Sequence, residues 1–158
     1  MTKTNAMRLL DKKKVQYSIV EYEVDESDLS GQHVAEQLSQ PCEKILKTLV
    51  VKGEKQGYVI CCIPVNHELD LKKVAKLIKD KKVEMLPVKD LLQVTGYIRG
   101  GCSPIGMKKQ YPVFFHESIL FRNEIAVSAG IRGMQIIIEP KSLIHFVNAQ
   151  TADLIKEI

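Results

Sequence analysis

The sequence predicts an α+β domain: a mixed, largely antiparallel β-sheet surrounded by short helices. Three observations lead there. Apolar, β-branched runs of strand length recur along the chain. Amphipathic stretches of helical period lie between them. No steady β-α-β rhythm orders the two, and several strands are joined by tight turns. At 158 residues the chain is one domain by length, expected to span 1–158. With 45% hydrophobic and 27% charged residues, its composition is that of a globular protein and excludes a disordered chain or a collagen-like fibre. No apolar run approaches the ~18 residues of a membrane span. The opening Met1-Thr2-Lys3-Thr4-Asn5 lacks a signal-peptide stretch, so the cytoplasm is the expected compartment and no membrane partner is expected.

Thr4 is placed to cap a helix running to about Lys14, with Ala6, Leu9 and Leu10 as its apolar stripe. Tyr17 to Val24, rich in β-branched and aromatic residues, reads as a strand. A loop over Ser27 to Gly31 precedes a short helix, His33 to Leu38, which stops before Pro41. Ile45 to Val51 and Tyr58 to Val65 are strands, joined as a hairpin through the turn Gly53 to Gly57. Asp70 caps a helix in which Leu71, Val74, Ala75 and Ile78 recur at helical spacing. Val83 to Leu86 is a short apolar piece, and Pro87 fits the first turn of a helix over Val88 to Val94. Tyr111 to Phe115, Glu124 to Val127 and Gln135 to Ile138 read as strands. Pro140 opens a last helix to about Asn148, and Ala152 to Ile158 is a tail.

The four cysteines and four histidines form no C-x-x-C and no H-x-x-x-H pair, so neither a metal nor a cofactor is expected. Cys61 and Cys62 are adjacent and must face opposite sides of a strand. The net charge of +4 is a mild basic bias. Its distribution is more telling: seven lysines fall between Lys72 and Lys89, with smaller clusters at 12–14 and 108–109. Such stretches are either a solvated face or a phosphate-binding surface.

Two places carry candidate chemistry. In Gly100-Gly101-Cys102-Ser103-Pro104-Ile105-Gly106-Met107-Lys108-Lys109, adjacent glycines allow a tight path and close approach of a ligand to main-chain N–H groups. This is neither a Walker A loop nor G-x-G-x-x-G, so nucleotide binding is not indicated. The second is Lys47, a cation inside the apolar strand Ile45-Leu46-Lys47-Thr48-Leu49-Val50-Val51. It either faces solvent or points into a cleft.

Lys47-Thr48-Leu49, the loop from Gly100 to Lys109, and Val127-Ser128-Ala129-Gly130-Ile131-Arg132-Gly133 together resemble the signatures of the YbaK/EbsC family, over essentially the whole chain. These trans-editing deacylases are similar to the insertion domain of bacterial prolyl-tRNA synthetase. The resemblance implies a hydrolase for Cys-tRNA(Pro), extending to Cys-tRNA(Cys), with prolyl-tRNA synthetase as a second partner. It implies substrate-assisted catalysis, in which the substrate's own thiol attacks its acyl carbon without metal or protein nucleophile. Residue by residue, Lys47 matches the family's essential lysine and Gly101 the glycine whose backbone lies against the aminoacyl group. Ser128 matches the serine of a Ser-Gly-Gly-x-Arg-Gly motif, and Tyr22 a pocket tyrosine. Leu29 or Ser30 falls where the family has a pocket-wall residue, with different loop spacing; Gly100 and Ser103 join the substrate-binding set through the glycine loop. Two departures stand out. Leu46 replaces a common phenylalanine, and Ala129 replaces a glycine, which would strain the turn by about 1 kcal/mol if a positive φ were required there. An Ala-tRNA(Pro) deacylase of the same superfamily, or a non-catalytic tRNA- or synthetase-binding module, remains an alternative.

Overall fold

Thr4 starts the first helix: its Oγ1 accepts the Met7 N–H at 3.3 Å, and α1 (Asn5–Lys12) buries Ala6, Met7 and Leu10. The computed structural model describes residues 3–157. After α1 come β1 (Ser18–Glu21) and α2 (Gly31–Gln37), then the hairpin of β2 (Leu46–Gly53) and β3 (Gly57–Pro64). Next are α3 (Leu71–Leu77), β4 (Val83–Met85) and α4 (Leu91–Thr95), followed by β5 (Val113–His116) and β6 (Ile125–Ser128). The chain closes with β7 (Met134–Ile138), α5 (Pro140–Phe146) and β8 (Gln150–Ala152). Short 3₁₀ turns precede β2 and α4 and follow β5.

The strands divide into two sheets. The smaller, in order β1-β7-β6, is wholly antiparallel. The larger, β4-β2-β3-β5-β8, is mixed: β2 pairs antiparallel with β3 and β4, whereas β3–β5 and β5–β8 are parallel. A single parallel bridge, Ile45 to Ala126, ties the start of β2 to β6 and so joins the two sheets.

The larger sheet is covered on both faces. Ile60 and Cys62 of β3 enter the main core with Met7, Leu10, Ile105, Phe115, Ile136 and Leu143. Val59, Cys61 and Ile63 enter a second core with Val74 of α3 and Leu154. This two-sided burial explains why β3 reads as an unbroken apolar run rather than an alternating one. Asp70 caps α3 by accepting the N–H groups of Lys72 and Lys73 at 3.0 and 3.2 Å, and the helix buries Val74 and Ala75, with Lys72 and Lys73 before them and Lys76 after.

The segment that reads as a tail is structural. β8 lies beside β5, and Leu154 is fully buried. Its N–H donates to His116 Nδ1 at 3.2 Å, and its carbonyl accepts from Asp70 N–H at 2.8 Å. Lys73 Nζ holds the same segment through Asp153 at 2.8 Å and the Ile155 carbonyl at 2.7 Å. Three residues with one β-branched member carry no strand signal; the partner strand supplies it.

The turn between β6 and β7 answers the question raised by Ala129. The residues with positive φ are Gly130 (+105°) and Gly133 (+91°), not Ala129, whose N–H donates to Met134 O at 3.1 Å. Alanine is therefore unstrained, and its methyl is fully buried. Restoring a glycine by Ala129→Gly is expected to lower stability by about 0.5–1 kcal/mol, read by chemical denaturation. Leu154→Ala is expected to cost about 2–5 kcal/mol in the same measurement, because it opens a cavity in the second core. A near-neutral result would show the C-terminal segment to be dispensable.

Candidate active site

β2 has two neighbours along its open edge, and they do not meet. At one end Ile45 bridges Ala126 of the small sheet. At the other, Val50 O accepts the Leu86 N–H at 3.0 Å, and β4 pairs from Val51 onward. The stretch 46–49 lies in the gap, and a cleft of about 360 Å³ opens against it. β2 supplies Lys47, Thr48 and Leu49; the small sheet supplies Ser128, Gln135 and Tyr22 at its end. The loop entering α2 contributes Leu29 and Ser30. Met85, Leu86, Val88 and Leu91 form an apolar wall, and Arg99, Gly100 and Cys102 come from the glycine loop.

Lys47 is half-buried. Burial is the main influence on its ammonium and pushes its pKa below the ordinary lysine value; the charge of Glu68 opposes this in part. Glu68 is itself paired with Lys156 at 3.4 Å. The lysine thus offers the cleft a charge not engaged in an ion pair among the described residues. Gln135 is the second notable group. It sits opposite Ser128 on one side and Val20 on the other, is 5% exposed, and its Oε1 has no hydrogen-bond partner among the described residues. A buried, unpaired amide oxygen on a cleft wall is costly unless something fills the cleft and donates to it.

Several predicted residues have their polar groups engaged locally. Ser128 Oγ accepts the Gly130 N–H at 3.1 Å, which tightens the β6–β7 turn. Ser30 Oγ caps α2 by accepting the His33 N–H at 3.2 Å. Tyr22 N–H donates to Gly133 O at 2.9 Å, tying the end of β1 to that turn. Gly101 and Ser103 stand behind the cleft surface. The Gly101 N–H donates to Ile98 O at 2.9 Å, and a Cβ there would lie 3.2 Å from the Ile131 backbone. Ser103 is fully buried, with Oγ accepting the Ile105 N–H at 3.2 Å. Of the two adjacent glycines it is Gly100, not Gly101, that lines the cleft.

Cys102 lines the cleft, but burial pushes its thiol up to about 11, with the Thr95 hydroxyl opposing. None of the four histidines is among the lining residues. The sequence reading missed Gln135, Arg99 and the apolar wall. Gln135 carried the same signal as Lys47, a polar side chain in an otherwise apolar strand. The wall is assembled from a segment that reads as ordinary helix and loop.

Against known proteins, residues 28–146 match the model of the aminoacyl-tRNA editing domain. Over 152 residues the chain is 51% identical to EbsC of Enterococcus faecalis (strain ATCC 700802 / V583), by name a candidate Cys-tRNA(Pro)/Cys-tRNA(Cys) deacylase; the match covers 96% of this chain and 93% of that one. It is 33% identical over 78 residues to the proline–tRNA ligase of Thermosipho africanus (strain TCF52B), covering 49% of this chain and 14% of the ligase. The fold matches the crystal structure of a candidate trans-editing enzyme for prolyl-tRNA synthetase, with a TM-score of 0.84 at 24% identity, over 99% of this chain and 100% of that one. The cleft between two sheets is thus found in a chain whose matched region spans most of its length, and the chain belongs to the aminoacyl-tRNA editing domain family.

Proposed function

We propose that the chain is an aminoacyl-tRNA deacylase that removes cysteine from tRNA(Pro) and from tRNA(Cys), and that the cysteine's own thiol makes the attack. The carrying observation is the content of the cleft: a half-buried cation and an unpaired buried acceptor, without an activated protein nucleophile. Burial pushes the Cys102 thiol up to about 11, which disfavours its thiolate at neutral pH. A substrate cysteine brings its own thiol, which starts from the ordinary thiol value, where a few per cent is ionised near pH 7. Chemistry by the substrate is the less demanding route.

In that route the substrate sulfur attacks its own carbonyl carbon and closes a four-membered thiolactone. The ester C–O bond breaks, the ribose oxygen departs with the electron pair and takes up a proton, and water opens the strained ring. The protein's part is to orient the ester and stabilise charge. Lys47 suits the anionic 3′ end of the tRNA. Gln135 Oε1 suits the α-ammonium of the aminoacyl group. Lysines between 72 and 89 offer phosphate contacts without base-reading aromatics, a pattern for weak, sequence-tolerant capture that a synthetase partner would complement. No helix among the described residues is long and apolar enough to cross a membrane, and the proposed working place is the cytoplasm, with the tRNA.

Lys47→Met is expected to lower single-turnover cleavage of Cys-tRNA(Pro) by roughly 10²-fold or more. Its melting temperature should equal or exceed that of the wild type, because a desolvated ammonium is removed. In the wild type the cation is lost as pH rises through its depressed pKa, so the rate should decline on the alkaline side before the ordinary lysine value of 10.5 is reached. Near-wild-type cleavage by the variant refutes the assignment, and a collapse in melting temperature makes Lys47 structural.

Cys102→Ser is expected to cleave Cys-tRNA(Pro) near the normal rate, while the wild type leaves Ser-tRNA(Pro) intact, because a hydroxyl is far less ionised than a thiol. An acyl group trapped on Cys102 would replace the substrate-assisted route with covalent catalysis. Cleavage of Ala-tRNA(Pro), which has no thiol, would also overturn it.

A further inference from the structure

The Gly101 N–H···O Ile98 bond closes a four-residue turn over Ile98, Arg99, Gly100 and Gly101. Gly100, the third residue, has φ +86°, the signature of a type II turn. Types I and II share that closing bond and differ by a flip of about 180° in the central peptide. Here the central peptide joins Arg99 to Gly100. Glycine at the third position tolerates either sign of φ, so Gly100 does not by itself select one state.

The selection comes from another loop. Arg132, in the β6–β7 turn, donates from Nε to Arg99 O at 2.8 Å. Its chain also lies over Gly100, where a Cβ would meet Arg132 Cγ and Nε at 3.3 Å. Arg99 O and Gly100 N–H belong to one trans peptide and point in opposite directions. Fixing the carbonyl toward Arg132 therefore fixes the N–H away from it. Among the described residues nothing accepts from the Gly100 N–H, and Gly100 lines the cleft whereas Arg132 does not.

We infer that Arg132 is a positioning residue: it locks the Arg99–Gly100 peptide in its type II state, so that the Gly100 N–H faces the cleft as the donor to the carbonyl oxygen of the scissile ester. This rests on the deacylase reading above and adds to it the group that stabilises the oxyanion. Donation into the Arg99 carbonyl also polarises the peptide and strengthens its N–H as a donor. A type I flip would present the Arg99 carbonyl to the ester instead, a repulsive contact where negative charge develops.

The test uses side chains of matched length. Arg132→Gln keeps an N–H at the position of Nε without the charge. Arg132→Met places a methyl there, and Arg132→Glu an oxygen. With Cys-tRNA(Pro), Arg132→Met is expected to lose roughly 10²-fold in kcat with KM and melting temperature little changed, as for removal of one oxyanion donor. Arg132→Gln should recover most of kcat. The Gly100 amide resonance should shift in the methionine variant and return in the glutamine variant. Should Arg132→Met fail to fold, Arg132→Glu is read against Arg132→Gln in its place. A wild-type protein that leaves Cys-tRNA(Pro) intact refutes the deacylase reading itself. With the wild type active, a donor-free variant at the wild-type rate overturns the lock. So does a loss confined to KM and not rescued by glutamine, which would make Arg132 a phosphate contact.

Discussion

The open edge of β2 between Ile45 and Val50 is the constraint on which the site depends. A strand edge inside a folded domain presents backbone groups that a neighbour normally satisfies. Here the small sheet takes over at Ile45 and β4 takes over at Val50, so the interruption between them is bounded on both sides. The cleft follows from that interruption. Its walls combine strands and loops with the ends of two short helices, α2 and α4.

What fills the walls is chemically lopsided. The cleft holds a cation weakened by burial and an amide oxygen without a partner, beside an apolar wall from Met85 to Leu91. Each polar group there is less favourable in the empty protein than in the presence of an anion or an ammonium donor. Such stored cost is characteristic of sites shaped for a ligand. Burial pushes the one cysteine thiol lining the cleft up to about 11, so the burial that shapes the pocket also weakens that thiol as a nucleophile.

The glycine loop and the β6–β7 turn are distant in sequence yet act as one unit. Gly101 lies against the Ile131 backbone, Arg132 holds the Arg99 carbonyl, and the Tyr97 ring covers Gly130, with its hydroxyl donating to Ile105 O. Tyr22 joins through its bond to Gly133 O. Motif residues that are separate along the chain are therefore held against one another.

By itself the sequence determined most local elements and one polar intruder of the cleft, Lys47. The caps at Thr4 and Asp70 and the β2–β3 hairpin follow from residues close in the chain, as does Lys47 in its apolar strand, because capping and alternation are short-range effects. Tertiary structure decided everything that depends on partners far away. One expected sheet became two, because β1 pairs with β7 across more than half of the chain. Gln150–Ala152 became a strand only through β5. Ala129 proved unstrained because the sharp backbone positions fell to Gly130 and Gly133. Of the two adjacent glycines only Gly100 lines the cleft, and the Arg99 carbonyl beside it is held by Arg132, 33 residues away along the chain.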